Sequence, residues 1–302
     1  MGGKNAKVRR HRPARAGNAQ PPHVRGPVTR NAAQPAGRAT TQKLHKVLAQ
    51  AGYGSRRDME LWIRDGKVMV NGVLAKLGLR VGERDQITVA GSVVETGSAA
   101  RLPRVLLYHK PDGEIVSRDD PRRRPSVFEH LPVVKHAKWI AVGRLDFNTC
   151  GLLIFTTSGE LANQMMHPRF EIEREYAVRV MGRLQPQHLQ QLTQGIELED
   201  GIARCERVEL RGGQGANQWC HVVLKEGRNR VVRRMFGKLG LTVSRLMRVR
   251  FGMLELPPRV KRGHYQELSS EQTRRLLEWL AAAPRASSPA PRQRGADRGD
   301  SA

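Results

Sequence analysis

The side chains best suited to chemistry lie in the stretch WIAVGRLDFNTCGLLIFTT, Trp139 to Thr157. Two apolar runs, Trp139 to Val142 and Leu152 to Phe155, read as buried strands, and the connection between them is rich in Gly and small polar residues. Asp146 is the only acid in that connection. Arg144 precedes it, and Asn148 and Thr149 follow. A carboxylate mounted between two strands can face a pocket and serve as a nucleophile or as an electrostatic partner for developing positive charge. Glycoside hydrolysis usually asks for two cooperating carboxylates, and this stretch offers one. The bland alternative is an Asp that bonds its own turn backbone.

The elements around this stretch read as α+β, without the strict alternation of a parallel βαβ sheet. Val105 to Tyr108 reads as a strand, turned by Lys110-Pro111-Asp112-Gly113. After the central stretch, Thr157 to Glu160 reads as a capping box for a helix through His167, with Leu161 and Met165 facing inward. Glu175 to Val180 alternates as a half-buried strand and puts Tyr176, Val178 and Val180 on one face. Pro186 to Gln194 reads as a helix stopped by Gly195. Trp219 to Lys225 is a strand that turns at Glu226-Gly227 into a basic helix over Arg228 to Leu239, with Val232, Met235, Phe236 and Leu239 as its buried stripe. Val243 to Phe251 is a further strand. Ser269 to Leu280 is a capped helix with Leu276, Leu277 and Leu280 inward.

A smaller folded piece precedes these elements. Leu44, Val47 and Leu48 have helical spacing, and Gly52 and Gly54 end that helix. Ser55 and Asp58 form a capping box for a second helix, whose apolar face is Met59, Trp62 and Ile63. Val68-Met69-Val70-Asn71-Gly72-Val73 is a strong hairpin signal, and Ile87 to Val89 and Val93 to Glu95 read as further short strands. Arg56 and Arg57 occupy the first turn of the second helix, where the macrodipole disfavours cations unless an anion binds there. With Lys43, Lys46, Arg64 and Lys67 they read as a phosphate-tracking face. The bland alternative is a solvated surface with an Arg56 to Glu60 pair.

The chain has 302 residues, 39% hydrophobic content and a formal charge of +25, from 53 Lys+Arg against 28 Asp+Glu. Two cores plus tails suit that length, and a polyanion suits that charge. Residues 1–40 hold nine Lys+Arg and no acid and have no hydrophobic period. They read as a disordered basic arm, and residues 283–302 read as a disordered tail. No apolar run is long enough to cross a bilayer. Three widely spaced cysteines, Cys150, Cys205 and Cys220, support neither a disulfide framework nor a zinc site and fit a reducing compartment. GxxxxGK[ST] and HExxH patterns are absent. The expectation is a cytoplasmic, monomeric RNA binder with no membrane association, no metal and no cofactor.

Four segments in order, KPDG at Lys110, GRLD followed by Thr149 and GLLIFT, REYAV at Arg174, and KEGRNRVVRRMFGKLG from Lys225, resemble the motifs of the pseudouridine synthases. The resemblance is to the branch that modifies ribosomal RNA one site at a time. The segment from Gln42 to Gly91 resembles the S4-type RNA-binding domain that this branch carries. The resemblance implies an S4 domain over 41–98, a hinge at Thr96 to Arg101, and a catalytic domain over 102–282 with a mixed, mostly antiparallel sheet and flanking helices. It implies isomerisation of uridine to pseudouridine, with Asp146 as the catalytic carboxylate. Arg233 then pairs with Asp146, and Tyr176 stacks on the target base and can assist proton transfer at C5. Val232 packs beside that base, and Arg144 enters the vacated stack or binds phosphate. Lys110 and Arg230 complete the substrate-binding set. Val231 stands where many relatives have Gln. The run from Trp139 to Glu175 and the segment GGQGANQW from Gly212 look closest to the enzymes of large-subunit RNA, so 23S rRNA or an assembly intermediate is the expected partner. A synthase for another rRNA site and a non-catalytic ribosome-assembly factor are the alternatives.

Overall fold

The computed structural model describes residues 41–94, 102–135, 137–213 and 217–283. The expected basic arm (1–40), the expected hinge at Thr96 to Arg101, residues 214–216 of the GGQGANQW segment and the expected tail beyond Ala283 lie outside the described residues.

The first folded part runs β1 (Gln42–Lys43), α1 (Leu44–Gln50), α2 (Arg56–Arg64), β2 (Val68–Val70), β3 (Val73–Leu74), β4 (Arg80–Val81), β5 (Ile87–Val89) and β6 (Ser92–Val93). Ser55 and Asp58 form the reciprocal cap of α2: Asp58 N donates to Ser55 Oγ at 3.1 Å and Ser55 N to Asp58 Oδ2 at 2.7 Å. Asn71 and Gly72 both take positive φ, 51° and 78°, as a two-residue hairpin turn between β2 and β3 requires. Leu44, Leu48, Met59, Ile63, Val68 and Ile87 share one core whose members all fall between residues 44 and 94.

The second part runs β7 (Val105–Lys110), β8 (Ile140–Val142), β9 (Cys150–Thr156), α3 (Gly159–Met166), β10 (Arg174–Met181), α4 (Pro186–Gln194), β11 (Ile196–Leu198), β12 (Gly201–Ala203), β13 (Arg207–Gly212), β14 (Asn217–Leu224), α5 (Val231–Lys238), β15 (Thr242–Phe251), β16 (Leu254–Glu255), β17 (Tyr265–Glu267) and α6 (Ser270–Ala282). One sheet has the strand order β13-β14-β10-β15-β9-β7-β17, with β8 added on β9 and β16 on β15. The pairing of β9 with β15 is its parallel one; the others are antiparallel.

The apolar run Leu152 to Phe155 is continuous because both sheet faces are covered. Leu153 and Phe155 join a core with Leu106, Tyr108 and Phe236 of α5, whereas Leu152 and Ile154 join a second core with Leu161 of α3 and Leu276 of α6. Alternation along β9 therefore serves two cores at once. Gly151 is obligatory at the parallel pairing: its φ is +103°, and a Cβ there would lie 2.2 Å from the carbonyl oxygen of Arg248.

Two helix starts differ from the sequence reading. α3 is capped by Ser158, whose Oγ accepts from Leu161 N at 3.2 Å, and not by Thr157, whose hydroxyl accepts from Arg104 N at 3.0 Å beside β7. α5 begins at Val231 instead of Arg228. The Arg228 guanidinium is drawn onto the β11–β12 hairpin, where it reaches the Gly201 and Ile202 carbonyls and the Asp200 side chain, and Arg230 leaves the segment with φ of 48°.

Candidate active site

The turn from Gly143 to Thr149 enters β9 and carries Asp146. Thr149 N donates to the Asp146 carbonyl at 3.0 Å and closes the turn. The Asp146 side chain is half-buried and has no hydrogen-bond or ion-pair partner among the described residues. The self-capping alternative is therefore not what this loop does.

Three elements lock the turn from outside. Lys110, the last residue of β7, is fully buried. Its ammonium donates to the carbonyls of Pro111 at 2.8 Å, Thr149 at 3.0 Å and Phe147 at 3.4 Å. Gly113 N donates to the Phe147 carbonyl at 2.9 Å. From α5, Arg233 donates through Nη2 to the Asn148 carbonyl at 2.7 Å and through Nη1 to the Val243 carbonyl at 2.8 Å. Hydrogen bonds to a charged group stabilise by about 1.5–3 kcal/mol each. Several carbonyls can thus offset the several kcal/mol that burying an ammonium costs. Burial nevertheless pulls the Lys110 pKa below the ordinary lysine value, against the fields of Glu114, Asp112 and Asp146.

These contacts correct two expectations. Lys110, expected to reach substrate, instead has its ammonium buried and committed to loop carbonyls. Arg233 forms no ion pair with Asp146 among the described residues; it grips the backbone two residues further on. The two still sense each other. Burial, and the neighbouring charge of Arg230, lower the Arg233 pKa, while the Asp146 carboxylate opposes that shift. Arg233 Nε and Thr149 Oγ1 are buried beside the turn without partners among the described residues.

Tyr176 arrives from β10. It pairs in register with Arg248 of β15, and Arg248 pairs with Gly151 at the start of β9. Tyr176 therefore lies level with the end of the Asp146 turn, two strand spacings or about 10 Å across the sheet. Tyr176, Leu145 and Val232 belong to one hydrophobic cluster. Asp146, Tyr176, and the adjacent Val232 and Arg233 are thus gathered at one end of β9 from three separate chain segments. Arg144 is exposed and has no partner among the described residues, and Arg230 is exposed at the N-terminus of α5. Val231, at the position that departs from many relatives, is a buried core residue.

Sequence reasoning passed over Phe147 and Arg248, and quoted Arg174 only as the first residue of the REYAV motif. Phe147 is 39% exposed beside Asp146, and its signal was the one aromatic in the turn. Arg248 and Arg174 are buried in the sheet, with both guanidinium groups about 5 Å from the Phe251 ring (5.1 and 5.0 Å). Nothing in the sequence marked either guanidinium as buried.

In the first folded part, Arg56, Arg57, Lys43 and Arg64 are exposed and Lys46 is half-buried. The Arg56 to Glu60 pair does not form among the described residues; Glu60 lies 3.6 Å from His45 instead.

Residues 104–238 match the family model described as RNA pseudouridylate synthase, and residues 42–87 match the S4 domain. Ribosomal large subunit pseudouridine synthase B of Escherichia coli (strain K12) is 51% identical over 82% of this chain and 86% of its own length. The protein of that name from Pseudomonas aeruginosa is 49% identical over 80% of this chain and 64% of its own. The chain belongs to the RNA pseudouridylate synthase family. A solved pseudouridylate synthase, 24% identical, superposes with a TM-score of 0.54 over 78% of this chain and 99% of that one, which speaks for the fold. The synthase thus combines an S4 domain with a mixed, mostly antiparallel catalytic sheet, and among the described residues it has no helix long and apolar enough to cross a membrane.

Proposed function

We propose that this synthase isomerises one uridine of 23S rRNA to pseudouridine with Asp146 as its catalytic carboxylate. The observation that carries the reading is a carboxylate with no intramolecular hydrogen-bond partner among the described residues, on a turn held by Lys110, Gly113 and Arg233. A group left unpaired on so fixed a mount is available to substrate.

The reaction breaks the C1′–N1 bond, turns the detached uracil, forms a C1′–C5 bond, and moves the C5 proton to N1. It needs neither an added nucleophile nor a redox partner. Asp146 can attack the sugar or stabilise positive charge on it once the nucleotide has left the stack. Tyr176 stacks against the uracil and assists proton loss at C5. Val232 closes the apolar side of the base site. Arg233 aims the turn through the Asn148 carbonyl and keeps a positive field at the carboxylate. Arg144 enters the vacated stack or holds phosphate, and Arg230 adds a phosphate contact.

The S4 domain, taken as residues 41–98, tracks RNA backbone with Arg56, Arg57, Lys43, Lys46 and Arg64 ahead of a catalytic domain at 102–282. The large-subunit assignment follows the names of the relatives that are about half identical. We place the enzyme in the cytoplasm as a monomer acting on 23S rRNA or a large-subunit precursor. Mapping pseudouridine in 23S and 16S RNA from a strain lacking the gene tests the assignment. A single 23S position should revert to uridine. Loss confined to 16S RNA would overturn the large-subunit reading, and intact modification of both would leave a non-catalytic assembly factor.

A further inference from the structure

Phe147 is the one aromatic ring in the turn from Gly143 to Thr149. It follows Asp146 directly and keeps 39% of its surface exposed, although Leu145, two residues before it, is packed into the core. Its backbone is fixed: the Phe147 carbonyl accepts from Gly113 N at 2.9 Å and from the Lys110 ammonium at 3.4 Å, and the Asn148 carbonyl accepts from Arg233. The ring is therefore presented to solvent from a rigid mount.

Several cations lie around the ring, beside the carboxylates of Asp146 and Asp120. The Arg124 guanidinium lies 5.9 Å from the ring centroid. It is held there by two bonds to Asp120, Nη2 to Oδ1 at 2.8 Å and Nε to Oδ2 at 3.0 Å. Arg122 and Arg123 of the same loop are exposed, as is Arg144 on the catalytic turn. An exposed aromatic set among cations matches the pattern by which proteins hold unpaired nucleotides, with the bases on rings and the phosphates on arginines.

We infer that Phe147 is a stacking platform for the base of a nucleotide flanking the target uridine, with Arg124 as the cation over one face of the ring. Extruding the uridine removes one stacking partner from each neighbour. A ring one residue from Asp146 replaces one of those partners and fixes which uridine meets the carboxylate. This inference rests on the reading of the chain as an RNA-modifying synthase.

The test uses the full-length protein and a synthetic 23S rRNA fragment centred on the uridine that the wild-type protein converts, with tritium release from C5 as the assay. Phe147→Ala and Phe147→Leu should each raise KM about tenfold, the range that loss of one base-aromatic stack implies, with much smaller effects on kcat. Phe147→Trp should hold KM near the wild-type value. On fragments made abasic at the 5′ or the 3′ neighbour, one position should abolish the difference between wild type and Phe147→Ala. Thermal melts of each variant report folding. A KM unchanged in folded Phe147→Ala, or a defect equally large on both abasic RNAs, would overturn the platform. Failure of the wild-type protein to convert any uridine would instead remove the underlying substrate reading.

Discussion

At the residue scale, a side chain's meaning depends on whether its polar atoms are already engaged. Asp146 is unengaged, so Asp146→Asn should fold with stability within about 0.5 kcal/mol of wild type, bind RNA, and make no pseudouridine. The neutral amide can neither attack the sugar nor stabilise positive charge on it. Tritium release beside a binding assay and a thermal melt checks this, and turnover in the folded variant would remove Asp146 from the chemistry. Arg233 is engaged with two carbonyls. Arg233→Ala should destabilise by about 1–3 kcal/mol and lower kcat more than it raises KM, because the turn loses its grip from α5. Phosphate contacts near this helix are left to Arg230 and Lys238, since Arg228 and Arg234 are bound to Asp200 and Lys225 to Glu206. A variant with wild-type turnover and weak binding would make Arg233 a phosphate contact instead.

At the scale of elements, the site depends on how β9 enters the sheet. The one parallel pairing brings Gly151 against Arg248 so closely that a side chain has no room. Gly151→Ala should cost at least about 2 kcal/mol from the positive φ alone, with the backbone clash in addition. Its turnover should fall as well, because the displaced rung is the one that sets Tyr176 level with the Asp146 turn. Denaturant unfolding and tritium release on the same preparation measure both. Unchanged stability would mean that β9 can slide past β15 without consequence. The helices contribute differently: α3 and α6 cover one face of β9 while α5 covers the other and delivers Arg233.

At the scale of the whole molecule, the charge of +25 makes salt the main lever on RNA affinity. Arg56 and Arg57 are exposed on the first turn of α2, and neither has an acid partner among the described residues. Changing both to Ala should lower the slope of log affinity against log salt by about 1.5, the share of two phosphate contacts, and leave turnover on saturating RNA unaltered. Filter binding across a salt series reads the slope. An unchanged slope would take these arginines off the RNA face.

The sequence by itself determined the local features: the Ser55–Asp58 cap, the Asn71-Gly72 hairpin, the two strands flanking Asp146, and the order of motifs from which the resemblance to pseudouridine synthases was read. Each of these is written in residues a few positions apart, where periodicity, turn preference and capping act directly. Only the tertiary structure decided what the long cations do. Lys110 reads as a substrate contact until β7 is seen beside β9, which buries its ammonium under Thr149 and Phe147. Arg233 reads as the partner of Asp146 until α5 is seen to present it to the Asn148 carbonyl, 85 residues away in sequence. The start of α5 moved for the same reason, because Arg228 found the β11–β12 hairpin. A flexible charged side chain takes whichever acceptors the strand order brings within reach, and that order is fixed by non-local pairing that no short window of sequence contains.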